Sequence, residues 1–300
     1  MKTPWWFMHK TLMSCLMLPA AVVYYCVSRI VFRLRASRGY DSRRPVICVG
    51  NVLAGGVGKT PIVREIATYL DAPVVMRGYK KTAKTGNIGD EATMLSHAGL
   101  IVHTGDRKSN VMLLDKQKSD TPIVMDDGLQ NPTVKKDISI VVFDESIGFG
   151  NGFLLPAGPL REPRSHAANA DAIIIIRSAH PRKNFTIPAG VPVFYATNQT
   201  VSPYDDGTPL VAFAGIGYPK KFFRCLTGVV ATRAFADHYQ YTDDDIRKLI
   251  ELANKKGAKL ITTEKDWVRL PEYVRNDIKY ARLDTKIDDN FWDWLKEKIK

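Results

Sequence analysis

The segment at residues 50–60, with the sequence GNVLAGGVGKT, constrains the fold of this chain more than any other feature. It follows an apolar run at 45–50 that is typical of a buried strand, and it opens an amphipathic helical pattern at 59–70. Glycines between a strand and a helix let backbone N–H groups close around phosphate oxygens, and the helix dipole adds to that attraction. The strict pattern has glycine at position 53, where this chain has Leu53. The context still predicts a phosphate-binding loop in an α/β fold.

Apolar runs alternate with helical patterns as far as about residue 180. The runs are continuous rather than alternating in polarity, which is typical of parallel strands covered on both faces. Predicted strands cover 45–50, 73–76, 100–103, 122–125, 138–143 and 172–176, and predicted helices cover 59–70, 91–97 and 107–116. This order predicts a doubly wound, mostly parallel α/β sheet of the P-loop NTPase type.

A second, smaller α/β domain is predicted after a linker at 179–188. Its predicted strands cover 210–214, 229–235, 259–262 and 279–283, and its predicted helices cover 220–226, 242–256 and 288–298. Thr242 is the expected N-cap of the middle helix, with Asp245 at its third position. The predicted organisation is an N-terminal helix at 1–38, a phosphate-binding core at 39–180 and the smaller domain at 181–300.

The basic charge of the chain is concentrated at its N-terminus. The formal net charge is +12, and residues 1–45 hold eight Lys or Arg against Asp41 alone. These basic residues flank an uncharged apolar run at 11–28, whereas a nucleic-acid site needs Lys and Arg along a folded face with aromatic side chains between them. The placement therefore predicts an anionic membrane surface as partner and excludes nucleic acid.

The apolar run at 11–28 has three interpretations. As a helix it would be about 27 Å long, just short of the hydrocarbon core of a bilayer, and Pro19 would kink it. A cleaved signal peptide is disfavoured, because the segment after the run is rich in Arg and lacks a clear cleavage site. A plain core helix is the second alternative. A membrane-associating helix, either spanning or lying in the interface, is the favoured one, and the Arg cluster after it predicts that the remaining chain is cytoplasmic.

Cysteine and histidine patterns exclude two kinds of site. The four cysteines are scattered and form no CxxC pair, so they read as small apolar residues in a reducing compartment. The histidines show no zinc-site spacing.

The phosphate-binding loop supplies the first candidate site residues. Lys59 is expected to reach the β- and γ-phosphates of a nucleotide, and the hydroxyl of Thr60 to hold Mg²⁺. The backbone of the loop is expected to contact the phosphates through Gly55, Gly56, Val57 and Gly58.

Two acidic pairs lie at the ends of predicted elements, one at the end of a strand and one at the start of a helix. Asp126 and Asp127 end a predicted strand, where a P-loop enzyme needs carboxylates to orient Mg²⁺; a solvated turn is the alternative. Asp90 and Glu91 open a predicted helix, where they could equally be partners of the helix dipole.

Two further segments are candidates. Residues 148–163, GFGNGFLLPAGPLREP, form a long Gly- and Pro-rich loop after a strand, which predicts an ordered functional loop ending in Arg161 and Glu162. Asp237 and His238 come from the smaller predicted domain, where a lone histidine is usually structural.

Together these motifs resemble a known family. The sequence resembles tetraacyldisaccharide 4′-kinase, the lipid A 4′-kinase of Gram-negative bacteria, from Pro4 to about Arg269. The long loop is the most specific part of the resemblance, whereas GKT and DDG are not specific. The matching motifs are GNVLAGGVGKTP, RGY, GDE, DDGLQ, GFGNGFLLPAGPLREP, FAGIG, FADHYQY and TTEKD.

The resemblance implies an activity and a location. It implies transfer of phosphate from ATP, with Mg²⁺, to the 4′-hydroxyl of tetraacyldisaccharide 1-phosphate, which forms lipid IVA in lipid A (lipopolysaccharide) biosynthesis. This lipid kinase would work at the cytoplasmic face of the inner membrane and needs no obligate protein partner.

The resemblance also implies roles for particular residues. Asp90, paired with His238, would act as the base on the sugar hydroxyl, and Lys59 and Arg161 would contact the nucleotide. Because Asp90 and His238 lie in different predicted domains, domain closure is expected to bring them together. The implied metal ligands are Thr60, Glu91, Asp126, Asp127 and Glu162.

Two departures from the family pattern and two alternative functions stay open at this point. Asn131 replaces a histidine that is common in the family, and Met76 precedes Arg77 where the family more often has Ser. The alternative function is a membrane-associated P-loop ATPase switch of the positioning or partitioning type. Such switches have a lysine directly before the glycine pair, where this chain has Ala54, so the kinase is favoured. A non-catalytic nucleotide-binding scaffold is the third possibility.

Overall fold

The computed structural model describes residues 5–56, 58–78, 89–183, 185–204 and 207–300. Their contacts divide into two compact units. The larger unit comprises described residues of Thr3–Lys81, Leu95–Thr197 and Thr285–Lys300, and the smaller unit those of Thr82–Met94 and Asn198–Asp284. The boundaries expected from the sequence, at residues 38 and 180, stay a prediction.

The regular elements alternate as an α/β fold requires. The strands are β1 (Val46–Gly50), β2 (Val74–Met76), β3 (Val102–Thr104), β4 (Ile123–Asp126), β5 (Ile138–Asp144), β6 (Ala172–Ile176), β7 (Val193–Val201), β8 (Leu210–Ala214), β9 (Val229–Ala234), β10 (Lys259–Thr263) and β11 (Lys279–Ile287). The helices are α1 (Leu12–Leu16), α2 (Leu18–Ala36), α3 (Lys59–Leu70), α4 (Asp90–His97), α5 (Arg107–Asp115), α6 (Pro219–Arg224), α7 (Asp243–Lys256), α8 (Glu264–Trp267) and α9 (Asp289–Ile299).

The larger unit contains a parallel sheet in the order β3-β2-β4-β1-β5-β6-β7. Every residue of β1 is buried, because strands on both sides and packing on both faces remove it from water. Val49 of β1 is in register with Asp126 of β4, so both strands end at the same edge. Since β1 is followed by the glycine-rich segment, that segment and Asp126–Asp127 are neighbours. The prediction of a doubly wound, mostly parallel α/β fold is confirmed.

The smaller unit has its own parallel strands and its own core. The strand order is β11-β10-β8-β9. The predicted capping box is present at the start of α7, where Thr242 and Asp245 bind each other's backbone N–H groups. Helix α7 packs with β8 and β10 around Phe213, Tyr241 and Leu249. The smaller α/β assembly expected from the sequence is therefore present as a compact unit.

The N-terminal apolar run differs from its prediction in two ways. The helix is broken at Met17, and Pro19 lies in the first turn of α2, where its missing N–H costs nothing. This interruption lies beside Pro19, where the sequence predicted a kink, and it divides the run into two helices. Helix α2 also continues beyond the apolar run to Ala36, so basic residues share it with apolar ones. Within the described residues, no helix combines the length and the apolar character needed to cross a membrane.

Candidate active site

The glycine-rich segment is held in place by the long loop at 148–163. Leu53 is buried and forms an antiparallel bridge with Leu160. The backbone N–H of Ala54 donates to Pro159 O at 2.7 Å, and that of Arg161 donates to Val52 O at 2.7 Å. This pairing explains Leu53 at a position where the strict motif has glycine, since its side chain belongs to the core beneath the two loops.

Two glycines of the segment adopt conformations that other residues avoid. Gly55 and Gly58 have φ of 114° and 78°, a region with little steric cost only for glycine. Gly58 is the N-cap of α3, so the N–H groups of the first turn point toward the loop. Gly56 is exposed beside Gly55. Val57, also predicted to contact phosphate, lies outside the described residues.

A cluster of two cations and one carboxylate lies directly after β1 and β4. Lys59 Nζ is 3.4 Å from Asp127 Oδ1, and Arg161 Nη1 is 3.0 Å from both carboxylate oxygens of Asp127. Lys59 Nζ also donates to Asn51 Oδ1 at 3.4 Å, and Arg161 Nη1 donates to Gln130 Oε1 at 3.1 Å. Three residues that were singled out from separate motifs are therefore brought together.

Asp127 is charged at neutral pH despite its burial. Burial raises the pKa of this carboxyl, but Lys59 and Arg161 together lower it by more, so the net pKa lies below the ordinary value. The Asp127 backbone has φ of 51°, which aspartate tolerates better than most residues. The carboxylate thereby turns toward the two cations.

Arg107, which the sequence reasoning did not single out, stabilises the backbone turn at Asp126 and Asp127. Its side chain is buried, and its Nη2 donates to the carbonyl oxygens of both Asp126 and Asp127 at 2.9 Å. Burial lowers the pKa of Arg107. One guanidinium group thus fixes two successive carbonyls of the left-handed turn. The only sequence signal was an arginine at the first position of a predicted helix.

The long loop is ordered, as expected. Phe149 packs against Phe143 and Phe185, with ring centroids 5.0 and 5.4 Å away. The amide of the buried Asn151 donates to Ala157 O at 2.9 Å and to Trp6 O at 2.8 Å, and its Oδ1 accepts from the N–H of Phe153 at 2.9 Å. These contacts fix the path of the loop up to Arg161.

The predicted metal ligands are divided between the two units. Thr60 lies in the first turn of α3, and Asp126 is buried at the end of β4 beside Asp127. Glu162 instead lies 3.4 Å from His166 Nδ1, and Glu91 lies 4.0 Å from Lys265 Nζ in the smaller unit. In the part of the chain that is described, no three His, Cys, Asp or Glu side chains are grouped as a metal cage.

Asp90 and His238 are in contact within the smaller unit. His238 Nδ1 is 3.1 Å from Asp90 Oδ2 and also 3.1 Å from Arg269 Nη2. This nitrogen donates to Asp90 when it carries a proton and accepts from Arg269 when it does not. Both residues belong to one compact unit, so the expectation that domain closure brings them together was wrong.

The environment of Asp90 favours its charged form. Burial raises the pKa of Asp90, while Arg269 and then His238 lower it, and the net pKa is below the ordinary value. His238 is held by its own backbone, which has φ of 58° and donates its N–H to Gly215 O at 3.0 Å. Asp237, its neighbour in the motif, is exposed. Arg269 was missed by the sequence reasoning.

Comparisons with known proteins agree with the resemblance in sequence. A family model described as tetraacyldisaccharide-1-P 4′-kinase matches residues 13–300. A tetraacyldisaccharide 4′-kinase of Methylobacterium nodulans is 38% identical over 294 residues, covering 89% of this chain and 86% of that protein. A tetraacyldisaccharide 4′-kinase of Rickettsia conorii is 34% identical over 319 residues, covering 99% of this chain and 97% of that protein.

The fold is also similar to a solved structure. The crystal structure of the "apo" form of LpxK from Aquifex aeolicus in complex with ATP aligns with a TM-score of 0.77, at 24% identity, over 96% of this chain and 98% of that chain. Because the family model spans the glycine-rich segment and the Asp90 contacts alike, this chain belongs to the tetraacyldisaccharide-1-P 4′-kinase family.

Proposed function

We propose that this chain transfers the γ-phosphate of ATP to the 4′-hydroxyl of tetraacyldisaccharide 1-phosphate. The observation that supports it most directly is the convergence of Lys59 and Arg161 on Asp127, at the ends of β1 and β4. Phosphoryl transfer needs mainly positioning and neutralisation of charge. In this proposal Lys59 and Arg161 supply that neutralisation by binding phosphate oxygens, and the N–H groups around Gly55 and Gly58 bind further phosphate oxygens.

The donor set beside this cluster suits Mg²⁺. Asp126 and Asp127 offer carboxylate oxygens and Thr60 a hydroxyl, the kind of hard oxygen ligands that Mg²⁺ prefers. When bound, Mg²⁺ would neutralise charge on the phosphates. We propose Thr60, Asp126 and Asp127 as its protein ligands. Metal roles for Glu91 and Glu162 stay predictions.

Asp90 is the proposed proton acceptor for the sugar hydroxyl. Its lowered pKa keeps it ionised at neutral pH, so the carboxylate can take a proton as the hydroxyl oxygen attacks phosphorus. His238 Nδ1 lies beside it and steadies the carboxylate by a hydrogen bond when it is protonated.

We also propose that the N-terminal helices bind the anionic cytoplasmic face of the inner membrane, where an acylated substrate resides. Val23, Val27, Ile30 and Leu34 of α2 are exposed and are spaced to form one stripe. Arg33 and Arg35 are exposed in the last turn of the same helix, and Arg38 is exposed just after it. An apolar stripe next to basic residues is the pattern of a helix that lies in a membrane interface.

One assay separates the candidate functions. The purified chain is incubated with ATP labelled at the γ-phosphate and with tetraacyldisaccharide 1-phosphate in mixed micelles, and label is measured in lipid and in free phosphate. Label in the lipid is expected. Lys59→Met should lower the labelling rate about 10²- to 10³-fold, whereas the exposed-site control Lys255→Met should leave it unchanged. Release of phosphate without labelled lipid would support an ATPase switch. Absence of both signals would support a nucleotide-binding scaffold.

A further inference from the structure

We propose that Arg269 is a positioning residue that binds one oxygen of Asp90 and thereby presents the other oxygen, Oδ1, to the acceptor hydroxyl. This inference rests on the proposed function, in which Asp90 accepts the hydroxyl proton. It adds a residue outside the motifs considered above and assigns separate tasks to the two oxygens of one carboxylate.

The contacts of Asp90 are strongly one-sided. Arg269 Nε and Nη2 both donate to Oδ2, at 2.8 and 2.6 Å. His238 Nδ1 lies 3.1 Å from the same oxygen. Among the residues that the structure describes, none donates a side-chain hydrogen bond to Oδ1. Three nitrogen atoms therefore surround one oxygen, and the other is left to face a substrate.

Arg269 is held in place independently of Asp90. Its side chain is only 2% exposed. Its Nη1 donates to Asp266 Oδ1 at 3.1 Å and to Gly215 O at 3.0 Å. Asp266 is in turn buried and accepts from the N–H of Gly215 at 3.0 Å and from the hydroxyl of Tyr241 at 3.0 Å. The guanidinium is thus held in the core of the smaller unit by contacts that do not involve Asp90.

Gly215 links the two groups that face Asp90. Its carbonyl oxygen accepts both the Arg269 side chain and the backbone N–H of His238, each at 3.0 Å. A Cβ at this position would lie 3.0 Å from Ala236 O and 3.1 Å from Asp266 Oδ1, so the close approach depends on glycine. The segments around Gly215, His238 and Arg269 therefore form one support for a single carboxylate.

The asymmetry has a chemical consequence. An oxygen that already accepts from a guanidinium is a poor proton acceptor, because protonation would break charge-assisted hydrogen bonds. Oδ1 keeps its lone pairs for the incoming proton. Rotation about the last torsion of an aspartate is broad, so without Arg269 the carboxylate plane would spend part of its time in orientations that aim neither oxygen at the hydroxyl.

The transfer step balances with this assignment. The acceptor oxygen forms a bond to the γ-phosphorus, and the bond from that phosphorus to the β–γ bridging oxygen breaks. The hydroxyl proton moves to Oδ1 of Asp90 and later leaves to solvent. ADP carries away the electron pair of the broken bond. Arg269 forms no bond to substrate, so its contribution is the orientation of Asp90 alone.

The test compares two variants of Arg269 with a matched arginine control. Arg269→Lys keeps a positive charge beside Asp266 but loses the fork that holds Asp90, and Arg269→Met loses all donors. We expect kcat to fall about 10-fold in the Lys variant and about 10²-fold in the Met variant, as for other displaced catalytic groups. KM values for ATP and lipid should stay near those of the wild type. The control Arg275→Lys, which alters an arginine bonded to Val268 O and Leu270 O in the same unit, should leave kcat unchanged.

A double variant separates positioning from a general structural effect. If Arg269 acts through Asp90, then Arg269→Met will add no further loss in kcat to Asp90→Asn. A folded Arg269→Lys protein with wild-type kcat, or an equal loss from Arg269→Met in both backgrounds, would overturn the inference. Melting curves identify any variant that fails to fold. If Arg269→Met does not fold, the kcat of Arg269→Lys tests the inference. Absence of labelled lipid with the wild-type chain would instead contradict the proposed function itself.

Discussion

The exposed stripe of α2 sets the strength of the proposed membrane binding, and replacing it should release the chain from vesicles. Val23, Ile30 and Leu34 are spaced on one face of the helix and are 63%, 59% and 66% exposed. Gln at these three positions keeps helix propensity and removes apolar surface. The triple variant should therefore fold normally and lose much of its membrane affinity.

The magnitude follows from the exposed fractions. Complete burial of one such side chain contributes about 1.5–3 kcal/mol. With roughly three-fifths of each side chain available to the membrane, three residues contribute about 3 kcal/mol at the lower end of that range. At 1.4 kcal/mol per tenfold change, the partition coefficient should fall by about 10²-fold.

The assay is co-sedimentation with sucrose-loaded vesicles, one set of neutral lipid and one containing anionic lipid. The matched control is Ile101→Gln, because Ile101 is 67% exposed but lies just before β3, outside the N-terminal helices. Wild type and control should bind anionic vesicles equally, and the triple variant should remain in the supernatant. Binding of the triple variant at wild-type level, or equal loss in the control, would contradict a membrane role for this stripe. Wild-type binding should be weaker on neutral vesicles, because Arg33, Arg35 and Arg38 are attracted only to anionic lipid. The difference should be about 1 kcal/mol for each residue near the surface.

Three other predictions concern Lys59, Cys48 and Gly158. Lys59→Met should lower kcat about 10²- to 10³-fold, because it removes a cation aimed at developing phosphate charge; a smaller loss in the lipid-labelling assay would contradict this role. Burial raises the pKa of Cys48 to about 11, so its thiol stays protonated at pH 8, and mass spectrometry should find iodoacetamide label there only after denaturation. The cysteines labelled in the native protein should be Cys15, Cys26 and Cys225. Gly158→Ala should lower the free energy of unfolding by about 1–3 kcal/mol in urea denaturation, because its Cβ would overlap Asn151 Oδ1 and Phe153 O; an unchanged midpoint would show that the loop adapts.

The parallel core was predictable because its signals are local. A strand, a glycine-rich turn and a helix start follow one another within about twenty residues, and continuous apolar runs identify buried parallel strands. Strand β7 was missed because it lacks such an apolar run. Its sequence, VFYATNQTV, mixes polar and apolar residues, and only Phe194 and Ala196 are buried. A strand with so little buried surface lacks the pattern that the reasoning uses.

The supporting residues of the site were beyond local reasoning. Arg269 binds Asp90 across 179 positions of sequence, and Arg107 reaches the carbonyls of Asp126 and Asp127 across about twenty. An arginine in a predicted helix or turn resembles an ordinary surface charge, and nothing nearby in sequence indicates its partner. Asp90 and His238 were joined beforehand only through the family resemblance, since burial and contact are properties of the folded chain.

The two central carboxylates show how environment separates roles between residues of the same type. Asp127 and Asp90 are each held below their ordinary pKa by positive neighbours. The Asp127 contacts reach both oxygens, through Arg161 and Lys59, which suits a group that exchanges partners with phosphate or metal. The Asp90 contacts from Arg269 all fall on one oxygen, and the other is the oxygen proposed to accept the proton. Because the pKa is lowered in both carboxylates, the separate roles proposed for them rest on how the contacts are distributed between the two oxygens.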